Sequence, residues 1–296
     1  MSGYRAHEAF IEPARNHPAL WRFAVGMVVA VFVFFITNAF YWEFAFAFCE
    51  GIGGLALQDL QAGQTPLAMY ILLFSFGFMA VGVGISARLL QDRSFFSLLG
   101  PLPLLRRDFR LVSLAVLSVL ALVLLLPPWD MGGDFVPNLP IATWLALLLP
   151  SLFFVLIQVS AEEIVFRGYI QQQLAARFRS PLIWMVLPSA LFALGHYLPE
   201  SAGDNALLIA VWAWLFGMLM ADLTARSGSL GPAIAVHLWN NVSAMVIISL
   251  PEDLSGLALY LTPFGMEDTA ALRDWLVVDF AMMFVLWLAA RVAIRR

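Results

Sequence analysis

Long apolar runs separated by short polar connections are the main pattern along this 296-residue chain. Eight runs approach the length of about 20 mostly apolar residues that a helix needs to cross a bilayer. They lie near 23–42, 66–88, 110–127, 142–163, 181–198, 206–225, 230–250 and 272–292. The first follows a polar stretch that includes Arg5, Glu8, Glu12 and Arg15. That order is unlike a cleavable signal peptide, in which a short basic region precedes a shorter apolar core. It predicts a retained helix. In the fourth run, helix-favouring residues continue past 163 to about Phe178, which predicts a helix projecting beyond the bilayer.

Composition agrees with this pattern. Apolar residues make up 62% and charged residues 12% of the chain, against roughly 45–50% and about 25% in soluble domains. So few charges cannot cover a water-exposed surface of this size. An ordinary soluble globule and a disordered chain are both excluded. One cysteine, Cys49, excludes a disulfide scaffold, and a net charge of −4 offers nothing to nucleic acid. The expected fold class is all-α, a polytopic membrane protein of about eight transmembrane helices.

Charge distribution adds an orientation. The chain has no lysine. The connections 43–65, 128–141, 197–205 and 251–271 hold no arginine but eleven acids, among them Glu50, Asp134, Glu200 and Glu252. Nearly all the arginines fall in the other connections and the two ends, with Arg273 the exception. Positive residues stay on the cytoplasmic side, so both termini are expected there. This predicts a cytoplasmic tail over 1–22, a membrane domain over 23–292 and a short tail over 293–296. Residues 89–110 mix Phe, Leu, Pro and Arg and are expected to lie along the membrane surface.

Against this apolar background, ionisable residues inside spans are costly and face a cavity or a partner. Three clusters stand out within 140–250: Glu162, Glu163 and Arg167; His196; and His237 with Asn240 and Asn241. Helical rotation of about 100° per residue sets Glu163 and Arg167 on one face as an ion pair and turns Glu162 away from Arg167. Glu162 is left free to serve as a general base. Glu162 and His196 each lie 17 residues from Arg179, at the turn between their helices, so they are expected level with one another. His237 and Asn241 share a face and offer donors for a developing oxyanion. Together these are the parts of a hydrolytic site. Ser160 and Cys49 are less well placed as nucleophiles. Asp222 and Arg226, four apart, are expected to form a surface pair.

The order EExxxR, FxxxH, HxxxN on separate membrane helices resembles the CPBP intramembrane proteases, which comprise type II CAAX prenyl endopeptidases and the bacterial Abi or bacteriocin-processing proteins. Here the motifs are Glu162-Glu163-Ile164-Val165-Phe166-Arg167, Phe192-Ala193-Leu194-Gly195-His196 and His237-Leu238-Trp239-Asn240-Asn241. The resemblance implies an endopeptidase with an intramembrane cavity open to the cytosol, acting on a membrane-associated peptide or protein. Glu162 would activate water with His196 as its partner. His237 and Asn241 would hold the oxyanion, and Glu163 and Arg167 would support the helix. Abundant Arg, Trp and Phe without lysine suggest a bacterial inner membrane.

Glu162, His196 and His237 could also supply the three ligands of an open zinc site. No HExxH is present, and the balance leans to a metal-independent glutamate mechanism. Two other classes compete with the protease. One is a proton-coupled transporter, for which no internal repeat is visible. The other is a non-catalytic membrane scaffold, in which the same residues are structural ion pairs and interhelical hydrogen bonds.

Overall fold

The computed structural model describes residues 2–53, 57–126, 134–251 and 254–295. It is a polytopic all-α membrane protein. The expected acid Glu252 and the end of the third predicted span, residue 127, lie outside the described residues.

A short helix α1 (Arg5–Ile11) precedes α2 (Leu20–Gly53). Then come α3 (Pro66–Gln91), α4 (Leu102–Leu125), α5 (Ile141–Ala175) and α6 (Leu182–Leu194). The chain ends with α7 (Ala206–Ser227), α8 (Gly231–Val242) and α9 (Thr269–Ile294). Among the described residues six of the helical stretches are long and apolar enough to cross a membrane, fewer than the eight runs of the sequence. At the fifth predicted span the helix stops at Leu194, before Tyr197-Leu198-Pro199. At the seventh, α8 gives way at Ser243 to a π-helical turn ending at Ile247.

Two connections also differ from expectation. Residues 89–91 close α3 and Leu102–Arg110 is already part of α4, so only the middle of 89–110 lies between helices. Within it Phe96 is exposed, whereas Leu98 is fully buried and its carbonyl accepts from Gln172 Nε2 at 3.2 Å. The first twenty residues pack as well. α1 lies against α7, with His7, Phe10 and Ile11 buried. Tyr4 Oη donates to Asp222 Oδ1 at 2.7 Å, and Trp287 Nε1 donates to Asp222 Oδ2 at 3.1 Å. Asp222 does pair with Arg226, but it is buried; the aromatic donors from two other segments cover it.

Between lipid-facing helices the hydrophobic effect gives little net attraction, and small residues that permit close approach matter more. α7 carries such a row at four-residue spacing: Ala213, Gly217, Ala221 and Ala225, all buried. A Cβ on Gly217 would stand 2.8 Å from Ser189 Cβ, so α6 packs where only hydrogen fits. The same row leaves backbone carbonyls within reach of α5. Arg167 Nη2 donates to Gly217 O and Gln171 Nε2 to Ala221 O, both at 3.2 Å.

At the opposite end of the bundle, three two-residue strands β1 (Val136–Pro137), β2 (Ile248–Ser249) and β3 (Tyr260–Leu261) form a small sheet. β3 is central, antiparallel to β1 and parallel to β2. This sheet and a bond from Trp144 Nε1 to Val246 O at 2.8 Å fix the start of α5 against the end of α8. Thus the helices bearing the first and third motifs are tied together at this end.

Candidate active site

Within α5 the regular helix ends at Glu163 and a π-helical turn runs Ile164–Gln171 before α-helix resumes. Such widened turns inside helices are uncommon and concentrate at functional sites. Glu162 and Glu163 sit at the junction, and both are buried.

Glu163 is enclosed completely. Its Oε1 accepts from Arg167 Nη1 at 3.0 Å and from His237 Nδ1 at 2.8 Å. The ion pair expected from four-residue spacing is therefore present, and the same oxygen also orients the imidazole. Arg167, 1% exposed, completes its coordination on the Gly217 carbonyl and over the Phe192 ring, 5.0 Å from its centroid. A buried charge left alone in such surroundings would be strongly unfavourable, so these contacts act as a set.

His237 then faces Glu162 with its other nitrogen: Nε2 lies 3.4 Å from Glu162 Oε2. Glu162 does not contact Arg167, as the rotation predicts, and its Oε2 has no hydrogen-bond partner among the described residues. Imidazole chemistry constrains this pair. Nδ1 must carry a proton to donate to the Glu163 carboxylate, so a neutral ring would present a lone pair from Nε2 to the lone pairs of Glu162. A proton on either Nε2 or Oε2 removes that repulsion. With Nδ1 committed to Glu163, Nε2 is a donor only when the ring is doubly protonated.

His196 lies beyond the end of α6, in a turn, and is half-buried. Its Nδ1 bonds the Phe192 carbonyl at 2.9 Å, so Nδ1 carries the hydrogen and Nε2 is left available. The Phe192 ring stands between the two histidines, 4.4 Å from His196 and 6.1 Å from His237, centroid to centroid. The structure thus brings Glu162, Glu163, Arg167 and His237 into one connected group. His196 joins that group through Phe192; no hydrogen bond or ion pair links it to Glu162.

Asn241, one turn beyond His237, donates from Nδ2 to Gln158 Oε1 at 2.9 Å, and its Oδ1 accepts from Asn240 Nδ2 at 3.2 Å. Gln158, one turn before Glu162, is the residue that sequence reasoning missed. A lone carboxamide four residues ahead of the glutamate in an apolar span was its signal.

A catalytic zinc site takes three protein ligands around an open position. Glu162 Oε2 and His237 Nε2 converge, but among the described residues no three His, Cys, Asp or Glu side chains are gathered to hold a metal. The set Glu162, His196 and His237 is not assembled in this arrangement. Cys49 is buried with Leu60 and Ala68, away from these residues in the packing.

Comparison with known proteins adds two findings. The family model described as type II CAAX prenyl endopeptidase Rce1-like matches residues 141–243. A protein of Bacillus subtilis (strain 168), described as the uncharacterized protein YyaK, is 23% identical over 255 residues, covering 84% of each chain. No solved structure matches. The resemblance carried by the three motifs is therefore borne out by a family model over residues 141–243, the stretch that contains all of them: this part of the chain is similar to the Rce1-like endopeptidases.

Proposed function

We propose that this protein is an intramembrane endopeptidase that hydrolyses a peptide bond of a membrane-associated protein or peptide with water activated by Glu162. The Rce1-like match over 141–243 supports a protease of the CAAX type in general. The observation that carries the mechanism is the Glu162–His237 pair: a buried carboxylate oxygen without a hydrogen-bond partner, 3.4 Å from an imidazole nitrogen.

With the shared proton on His237 Nε2, Glu162 is an acceptor and His237 a donor at one place. Water attacks the scissile carbonyl carbon and its proton passes to the Glu162 carboxylate. The oxyanion so formed takes hydrogen bonds from His237 Nε2–H and from the second N–H of Asn241, the first being held by Gln158. Collapse breaks the C–N bond, and Glu162 returns the proton to the leaving amine. His196 Nε2 is left to position the water. Glu163 and Arg167 fix the imidazole and do not touch the reacting atoms.

The arginine distribution supports cytoplasmic termini and a site served from that side. The zinc alternative would need His196 brought in beside Glu162 and His237, a set that this arrangement does not gather. Chelator titration with metal analysis of the purified protein separates the two chemistries.

The direct test compares membrane-fraction proteomes of cells carrying wild-type or Glu162→Gln protein at equal insertion. Accumulation of one or more uncleaved substrates is expected in the variant. Identical proteomes and unchanged turnover would remove Glu162 as base.

A further inference from the structure

A cavity of about 420 Å³ opens near the start of α4, lined by Pro103, Arg106, Arg107, Arg110 and Leu111. It is remote in kind from the site above, which contributes none of these residues. Arg107 is held from behind: its Nε and Nη2 both donate to Oδ1 of the fully buried Asp108, at 2.8 and 2.7 Å. Nη1 is left for a ligand. Arg106 and Arg110 are exposed and make no ion pair or hydrogen bond to the described residues. Asp108 offsets one of the three charges, and the other two are unopposed.

Farther along α4, the same face turns apolar. Leu111, Leu114 and Leu125 follow Arg107 at near-integral turns and all are exposed, with Ser118 between them satisfied on the Leu114 carbonyl. The opposite face, with Val112 and Val116, packs into the core beside α8 and α9. A basic hollow therefore continues directly into a lipid-facing apolar strip on a membrane-crossing helix.

We infer that this hollow binds the phosphate of an anionic phospholipid whose acyl chain lies along α4. Guanidinium groups match phosphate oxygens in geometry as well as charge, and Asp108 holds one of them ready. A soluble phosphate would use the hollow but not the strip. A zwitterionic headgroup would bring its own cation beside two unopposed arginines. Anionic lipid alone satisfies both halves.

The test uses the full chain in neutral detergent, titrated with phosphatidylglycerol, phosphatidylcholine or glycerol phosphate and followed by native mass spectrometry and thermal denaturation. Phosphatidylglycerol is expected to bind and raise the melting temperature; the other two are expected to do neither. Arg106→Gln with Arg110→Gln should weaken phosphatidylglycerol binding by roughly thirtyfold. The melting temperature without lipid should not change, since both side chains are exposed. Equal binding of phosphatidylcholine, or undiminished phosphatidylglycerol binding in the double variant, would overturn the inference. Glycerol phosphate binding as tightly as the lipid would reduce the hollow to a phosphate site and overturn it too.

Discussion

Asn241 donates to Gln158 across the α5–α8 contact, at 2.9 Å and one helical turn from Glu162. The bond fixes which way the Asn241 carboxamide faces. Gln158→Leu should lower kcat by roughly tenfold, with little change in KM and a stability loss of about 1 kcal/mol. Gln158→Glu keeps an acceptor at this place and should restore most of the turnover. Steady-state kinetics on a substrate identified from the membrane comparison checks this. Equal losses in both variants would show that the bond does not position Asn241.

Arg167 neutralises a carboxylate with no exposure at all. Arg167→Met leaves Glu163 charged and buried, with only His237 to compensate, and should cost about 3–5 kcal/mol. Arg167→Met with Glu163→Gln removes both charges and should recover much of that loss. Denaturation in matched detergent measures both.

Gly217 meets Ser189 where a methyl group does not fit. Gly217→Ala should destabilise by about 1–3 kcal/mol through forced separation of α6 and α7. Ser189→Gly should relieve part of it. A double-mutant cycle that came out additive would place the strain elsewhere.

His7 is buried against Trp184, with ring centroids 4.5 Å apart, and its Nε2 is 3.4 Å from Gln171 Nε2. Burial lowers its pKa to about 4. The unfolded chain takes up a proton near pH 6.5 that the folded chain refuses until about pH 4. The docking of α1 is therefore at full strength above pH 6.5 and weakens as pH falls towards 4, by about 3 kcal/mol in all. The protection of residues 5–15 against hydrogen exchange, corrected for the intrinsic pH dependence of amide exchange, should fall across that window in the wild type. In His7→Phe it should stay flat.

Sequence reasoning located the apolar stretches, the Glu163–Arg167 pair and the helical extension beyond 163, because each depends on local periodicity. It did not find that His237 spans the two glutamates, since that needs the tertiary approach of α8 to α5. His196 was expected on a helix level with Glu162. The helix stops at Leu194, and a turn secured on Phe192 O carries the imidazole instead. The burial of Asp222 was equally hidden, because its covering groups, Tyr4 and Trp287, come from the two ends of the chain. The short amino-terminal helix looked polar in composition, yet His7, Phe10 and Ile11 line one side of it.

Oε1 of Glu163 is a single hinge pin for three helices. Through His237 it holds α8, and through Arg167 it holds the Gly217 carbonyl of α7. Parting any two of these helices at that depth breaks a charged contact in a dry interior. Under the proposed function, a polypeptide that reaches Glu162 would enter along another seam of the bundle and not between these three helices.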